Sequence, residues 1–206
     1  MKSITKTEQK RLLREALKEQ ERRLTKVALS DSNQKLTERF LALEEVAAAE
    51  TILLYCSMGA EPDTTVLMER LLTQGKRVVL PRCLPQRQME TRLYTSHIPL
   101  IQHPYGMLEP GEAHPLVEPE EIELALVPAL AYDICCMRMG RGGGYYDRYL
   151  AEFSGITVGW CRDVLLQREI PAESHDRPVD LVLTETRLFR RSEGKARVGG
   201  QKDVPC

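Results

Sequence analysis

No apolar run in the chain approaches the ~18 to 20 residues that a membrane-spanning helix needs, and the opening MKSITKTEQKRLLREALKEQ is charged where a secretion signal would be apolar. A membrane protein is therefore not expected, and the sequence predicts a cytoplasmic one. An excess of either charge is missing too: 29 Lys and Arg stand against 30 Asp and Glu, a formal net charge of −1. No global field recruits nucleic acid or an anionic surface, so any anion is bound by a local cluster. None of the six cysteines falls in a CxxC pair, which excludes a structural zinc site of that kind and a disulfide scaffold and predicts reduced thiols. The chain also has neither a dinucleotide GxGxxG nor a GxxxxGK[ST] phosphate loop, no internal repeat, and no histidine at metal-ligand spacing.

What remains is the material of one globular unit. In 206 residues, 42% are hydrophobic and 13 are Gly, enough to bury a core and to exclude wholesale disorder. Residues 5–24 and about 31–49 carry apolar positions at helical spacing, the second run capped at Ser30 or Asp31, and predict two N-terminal helices. TILLYC, VVLP, LALVPAL, ITVGW and VDLVLTE are short, β-branched and apolar, as strands buried on both faces are. TTVLMERLLTQGK and YYDRYLAEF are helical runs between them. The class is α/β, helices covering both faces of a mainly parallel sheet. Residues 82–123, with METRLY as one strand, make a connection too long to be idle and are expected to help bind a ligand. One domain over 1–190 is expected, with 191–206 a disordered tail too poor in apolar residues to offset its ordering entropy.

The sharpest feature is RMGRGGGYYDRYL, residues 138–150, a glycine-dense turn between an apolar strand and a helix. Gly140, Gly142, Gly143 and Gly144 let successive N–H groups converge on a phosphate at a helix N-terminus, and Arg138 and Arg141 add charge. A tight strand-to-helix turn explains the glycines equally well. Asp147, one turn into that helix, either complements the helix dipole or meets a polyphosphate through a bridging Mg²⁺. On the metal reading, Asp147→Asn would relieve a like charge and stabilise the ligand-free protein. Lys6, Lys10, Arg14, Lys18 and Arg22 recur every four residues on the first helix, a cationic row whose like pairs cost ~0.2 to 0.5 kcal/mol each. The row is a solvated face or half of an anion site. His175, Asp176 and Asp180 precede the last core strand, and Glu61 and Asp63 follow the first, where α/β sheets bind ligands. A second acid in the former group could share a metal with Asp147, though turn chemistry explains it equally well, and helix capping is the other account of Glu61 and Asp63.

Taken together the chain resembles the 5-formyltetrahydrofolate cyclo-ligase family. The resemblance runs from about residue 6 to residue 185. It rests on K-x-x-L-R (Lys10 to Arg14), E-x-D-T (Glu61 to Thr64), G-x-x-E-P (Gly106 to Pro110), P-x-L-x-[FY]-D (Pro128 to Asp133), R-x-G-R-G-x-G-Y-Y-D-R (Arg138 to Arg148) and P-x-E-x-H-D (Pro171 to Asp176). It implies a three-layer α/β/α enzyme that uses ATP to close 5-formyltetrahydrofolate into 5,10-methenyltetrahydrofolate through a phosphorylated formyl group, releasing ADP and phosphate. Position by position, Lys10, Arg14, Arg138, Gly140, Arg141, Gly142, Gly143, Gly144 and Tyr145 match the family's phosphate site, and Asp147 and Asp176 its magnesium-associated carboxylates. Tyr146 matches a tyrosine facing the formyl group and with Arg141 is assigned to catalysis; Glu61 matches the acid that meets the pterin, and Tyr105 falls where an aromatic can stack on the folate. The resemblance further implies a monomer acting on small molecules, with no nucleic acid or membrane partner. Three positions depart from the pattern: Gly143 where some members carry Lys, Cys136 where glycine is usual, and Leu165 where glutamine is usual. A catalytically silent folate or nucleotide binder on the same scaffold is the alternative reading.

Overall fold

The computed structural model describes residues 4–173, 176–192, 195–198 and 204–205. Helix α1 (Lys6–Arg22) starts at Thr5, whose hydroxyl accepts from the Glu8 N–H at 3.3 Å, meeting one of the donors a helix start leaves open. Helix α2 (Lys26–Leu41) repeats the device, Thr25 accepting from Ala28 at 3.2 Å, and α3 (Glu44–Ala48) follows. The second predicted helix is corrected at both ends. Thr25, not Ser30 or Asp31, is the cap, and the run breaks after Leu41. Ser32 lies inside α2, where its hydroxyl bonds Glu185.

The chain continues through β1 (Thr51–Leu53), α4 (Thr65–Thr73), β2 (Arg77–Leu84), β3 (Gln88–Leu93), β4 (Ile101–Gln102), β5 (Leu108–Glu109), β6 (Leu124–Val127), β7 (Ala131–Tyr132), β8 (Arg138–Met139), α5 (Tyr145–Glu152), β9 (Ile156–Trp160), β10 (Leu181–Leu183), β11 (Leu188–Ser192), β12 (Lys195–Val198) and β13 (Val204–Pro205). Among the described residues one sheet of nine strands runs β13-β12-β11-β10-β9-β6-β1-β2-β3. Its centre, from β10 to β2, is parallel. The strands β3 and β11 to β13 pair antiparallel at its edges. Residues 191–206, expected as a disordered tail, fall partly outside the described residues; those described include the end of β11, β12 and β13.

Strand alternation divides the core in two. Ile52, Val78, Leu124, Leu126 and Val158 face α2, α3 and α4 through Phe40, Val46 and Leu71. Leu53, Val79, Ala125 and Val127 face the opposite side, with Leu17 of α1 and the flank of α5. The fold is thus α/β/α in three layers, as expected. Phe40 and Trp160 meet edge to face, ring centroids 5.5 Å apart, a contact worth ~0.5 to 1.5 kcal/mol beyond its area.

Two features of this frame place the site. Because β1 lies between β2 and β6, the chain reverses direction across the sheet there, and a crevice opens beyond the strand ends. Tyr132, fully buried, donates from Oη to the Val127 carbonyl at 2.6 Å and fixes the turn out of β6. Only glycine at 159 admits it, since a Cβ there would stand 2.3 Å from Tyr132 Cζ.

Candidate active site

A cavity of about 800 Å³ occupies that crevice. Its floor comes from the ends of β1 and β6, through Tyr55, Cys56, Pro128 and Ala129. Around it stand α1 on one side, the 138–151 segment on another, and the long 82–123 connection on a third. Within that connection β2 and β3 form one hairpin and β4 and β5 a second, and both line the cavity. The fourteen residues matched to the family's site all border it: Lys10, Arg14, Glu61, Tyr105, Arg138, Gly140, Arg141, Gly142, Gly143, Gly144, Tyr145, Tyr146, Asp147 and Asp176.

The cationic row divides sharply. Lys10 is buried, its Nζ 2.7 Å from Glu173 Oε2 and 2.5 Å from Asp176 Oδ2. Burial depresses the Lys10 ammonium, and the bonds to Asp176 and Glu173 outweigh it, holding it above its ordinary value. Arg14 donates from Nε to the Gly140 carbonyl at 3.0 Å, binding the helix to the glycine turn. Among the described residues Lys6 reaches the Ala172 carbonyl, and Lys18 is exposed.

In the glycine turn Gly142 and Gly144 take φ of +102° and +74°, and Gly144 caps α5. Left-handed backbone there leaves the helix N-terminus bare of side-chain caps, the setting in which amide groups meet an anion. A Cβ on Gly143 would stand 3.1 Å from Tyr145 Cδ2, so the Lys of other members needs only a small shift of that ring. Arg138, with a side chain 6% exposed, pairs with Asp147, and its guanidinium carbon lies 6.0 Å over the Tyr146 ring. The Tyr146 hydroxyl is buried, with no hydrogen-bond partner among the described residues. Burial first, with Tyr149 adding, makes it a much weaker acid than an ordinary phenol. It therefore keeps its proton and is a donor in search of an acceptor.

Glu61 and Asp63 part company. Glu61 enters the site, accepting from Arg141 Nε at 2.7 Å and from the Met58 N–H at 2.9 Å. Asp63 accepts from the Thr65 N–H at 2.9 Å and the Ser57 hydroxyl at 3.2 Å, a turn role. Asp180 likewise serves the sheet, accepting from the Thr157 N–H and hydroxyl between β9 and β10. His175 lies outside the described residues.

The oxygen donors of Asp147 and Asp176 suit a hard cation such as Mg²⁺. Each is now paired with a cation, Arg138 and Lys10 respectively. A polyphosphate arriving between them would compete for Lys10 and Arg138, leaving the carboxylates to a metal.

Residues 6–185 match the 5-formyltetrahydrofolate cyclo-ligase family. The chain belongs to it. A 5-formyltetrahydrofolate cyclo-ligase of Mycolicibacterium smegmatis is 36% identical over 151 residues, 68% of this chain and 76% of its own. One from Mus musculus is 29% identical over 198 residues, 90% of this chain and 98% of its own. The NMR structure of Aquifex aeolicus 5,10-methenyltetrahydrofolate synthetase has a TM-score of 0.81 at 28% identity, covering 90% of this chain and 94% of that one.

Against the family pattern, Leu165 is buried among the core residues around Leu17 and does not border the cavity, so its departure is one of packing. Cys136 takes φ of +64°, the left-handed conformation that explains glycine at this place. Cys56, Cys83, Cys136 and Cys161 are free thiols as expected, whereas Cys135 is disulfide-bonded; sequence spacing says nothing of which thiols meet in space. Burial, then Glu109, pushes the Cys83 thiol up to about 11.

Sequence reasoning passed over three residues. Glu173 shares Lys10 with Asp176, and its place inside the P-x-E-x-H-D motif was the available signal. Arg162, buried, donates to Asn33 Oδ1 at 2.9 Å and the Ala60 carbonyl at 3.2 Å, pinning the loop that carries Glu61. Glu109, in G-x-x-E-P, is buried on the cavity wall.

Proposed function

We propose that the protein closes 5-formyltetrahydrofolate to 5,10-methenyltetrahydrofolate with ATP, through phosphorylation of the formyl oxygen. The observation that supports this reading is that four basic residues, the glycine turn and Tyr146, whose hydroxyl has no hydrogen-bond partner among the described residues, border one cavity. A formamide oxygen is a poor leaving group. Attack of that oxygen on the γ-phosphorus releases ADP and makes the oxygen a phosphate ester; N10 then adds to the carbon, its proton passes to solvent, and phosphate leaves. Catalysis of this kind is positioning and charge neutralisation.

Lys10, Arg14, Arg138 and Arg141, with the amides from Gly140 to Tyr145, would hold the triphosphate. Magnesium bound with the nucleotide would supply positive charge against its oxygens, with Asp147 and Asp176 to hold it. The proton on Tyr146 Oη suits a hydrogen bond to the formyl oxygen. Glu61 would meet the pterin, and exposed Tyr105 would stack on the folate. The reading takes the protein as a cytoplasmic monomer working on small molecules.

The test mixes the protein with Mg-ATP and 5-formyltetrahydrofolate and follows the near-ultraviolet absorbance of the methenyl product together with phosphate release. One phosphate per methenyl group is expected, and none of either with ATP omitted or with excess chelator. Binding of both ligands without product would mark a silent binder, and equal rates without ATP would remove the phosphoryl step.

A further inference from the structure

Cys83, His103 and Glu109 meet in a place that the folate reading leaves without a role. Cys83 sits on β2 beyond its pairing with β1, His103 follows β4, and Glu109 ends β5. The β4–β5 hairpin thus folds two donors against the third. One donor atom from each, a thiol sulfur, a ring nitrogen and a carboxylate oxygen, lie within 4.8 Å of one another.

Bonds of ~2.0 to 2.3 Å to a tetrahedral zinc ion put its donors roughly 3.5 Å apart. The trio therefore needs to close by about 1.3 Å at most, and the hairpin that carries two of its members is largely exposed. A second observation points the same way. Glu109 is 5% exposed, its hydrogen bond comes from the Cys83 backbone N–H at 3.1 Å, and among the described residues it pairs with no cation. A buried carboxylate so thinly matched is a site short of positive charge.

We propose that Cys83, His103 and Glu109 form a binding site for a zinc-class divalent cation, with water in the fourth position, and that the bound ion obstructs the substrate cavity. A thiol and an imidazole select a borderline-soft ion over magnesium, which prefers oxygen donors throughout. The Cys83 thiol gives its proton to solvent as the sulfur–metal bond forms. His103 Nδ1 now accepts from the Tyr105 N–H at 3.2 Å. Coordination takes the neutral ring's single lone pair, so that bond is given up; Tyr105 is exposed, and water replaces it. Cys83 and Glu109 both border the cavity, beside Tyr105 and Leu108, so an ion held by them sits in its wall. The inhibitory half of the proposal rests on the reading above, and the binding half does not.

The full chain, freed of metal, is titrated with Co²⁺ in the presence of excess Mg²⁺. One equivalent should give a strong near-ultraviolet thiolate-to-cobalt band with the visible bands of four-coordinate cobalt. Cys83→Ser should abolish the thiolate band, and His103→Ala should weaken binding at least tenfold, with thermal melts showing both variants folded. Cobalt bound by carboxylates elsewhere gives no thiolate band. Absence of the band, or its survival in Cys83→Ser, overturns the site. In the cyclisation assay zinc should slow the wild type, while Cys83→Ser, measured against its own zinc-free rate, should need at least tenfold more. Equal zinc sensitivity overturns the inhibitory half. A cobalt site in a protein that forms no methenyl product leaves the site standing and sinks the folate reading; product without a cobalt site does the reverse.

Discussion

Arg141 Nε donates to Glu61 Oε1 at 2.7 Å, so the glycine turn is tied to the loop that leaves β1. The sequence assigns these two residues to different ligands, Arg141 to phosphate and Glu61 to folate. In space they share a charge-assisted bond, and Arg141 reaches Glu21 as well, at 3.1 Å. What binds at one end of the cavity can therefore be felt at the other.

Glu61→Gln keeps the shape and removes the charge. Productive folate binding should fall about tenfold or more, the ~1.5 to 3 kcal/mol of a charge-assisted hydrogen bond. Nucleotide affinity should hold or rise, because Arg141 loses a competing carboxylate. In a double-mutant cycle with Arg141→Ala the coupling should be about 1 kcal/mol. Titrations of both ligands on the singles and the double check this, and strictly additive effects would separate the two residues.

How far the sequence could be read follows from what was local. The parallel strands were legible because buried strands are apolar without a break, and the glycine turn because Gly142 and Gly144 hold left-handed backbone that other residues resist. Lys10 and Arg14 stood out by helical spacing, but the cost of burying Lys10 is met by Glu173 and Asp176, which join it from the far end of the chain. No periodicity announces such a pair. The same holds for Cys83, His103 and Glu109, whose spacing matches no metal motif because the hairpin, not the chain order, brings them together.

Lys10→Met should cost about 3 kcal/mol at neutral pH, since it removes the buried ammonium that Glu173 and Asp176 both bond. The pH dependence has a definite sign. The folded ammonium titrates above its ordinary 10.5, so the folded state holds the proton longer than the unfolded one. Its stabilisation is complete below that ordinary value and is lost as pH rises through the folded one. Urea denaturation from pH 8 upward should therefore show the gap between wild type and variant constant at first and then closing in the alkaline range. A gap that stays constant or widens there would contradict the pairing.

Asp147→Asn should destabilise the ligand-free protein, the reverse of the gain expected on the metal reading from sequence. The carboxylate is paired with Arg138, whose side chain is 6% exposed and whose Nε has no partner among the described residues. Removing it strands a buried guanidinium, at about 2 kcal/mol, less than a wholly buried pair because Asp147 is 31% exposed. A helix-dipole role alone would cost ~0.3 to 1 kcal/mol. Turnover should fall by orders of magnitude and recover in part with raised magnesium. Melts paired with rates across a magnesium titration test both; a destabilised variant with full activity at ordinary magnesium would take Asp147 out of the site.

Cys136 offers a test of the turn that delivers Arg138 to the cavity. Its φ is +64°, and the turn around it is held by Asp133, whose Oδ1 accepts from the N–H groups of Cys135 and Met137, each at 2.9 Å. A left-handed residue with a Cβ is strained by ~1 to 2 kcal/mol. Cys136→Ala keeps the strain and gives up the buried sulfur, so it should be destabilised. Cys136→Gly gives up slightly more buried surface and is relieved of the strain, so it should be the more stable of the two by about 1 kcal/mol. In ordinary backbone the order is the opposite, alanine exceeding glycine by roughly 0.5 to 1 kcal/mol. Urea denaturation of the two variants side by side decides it. Alanine as the more stable variant would mean that left-handed backbone is not what the family's glycine supplies at this turn.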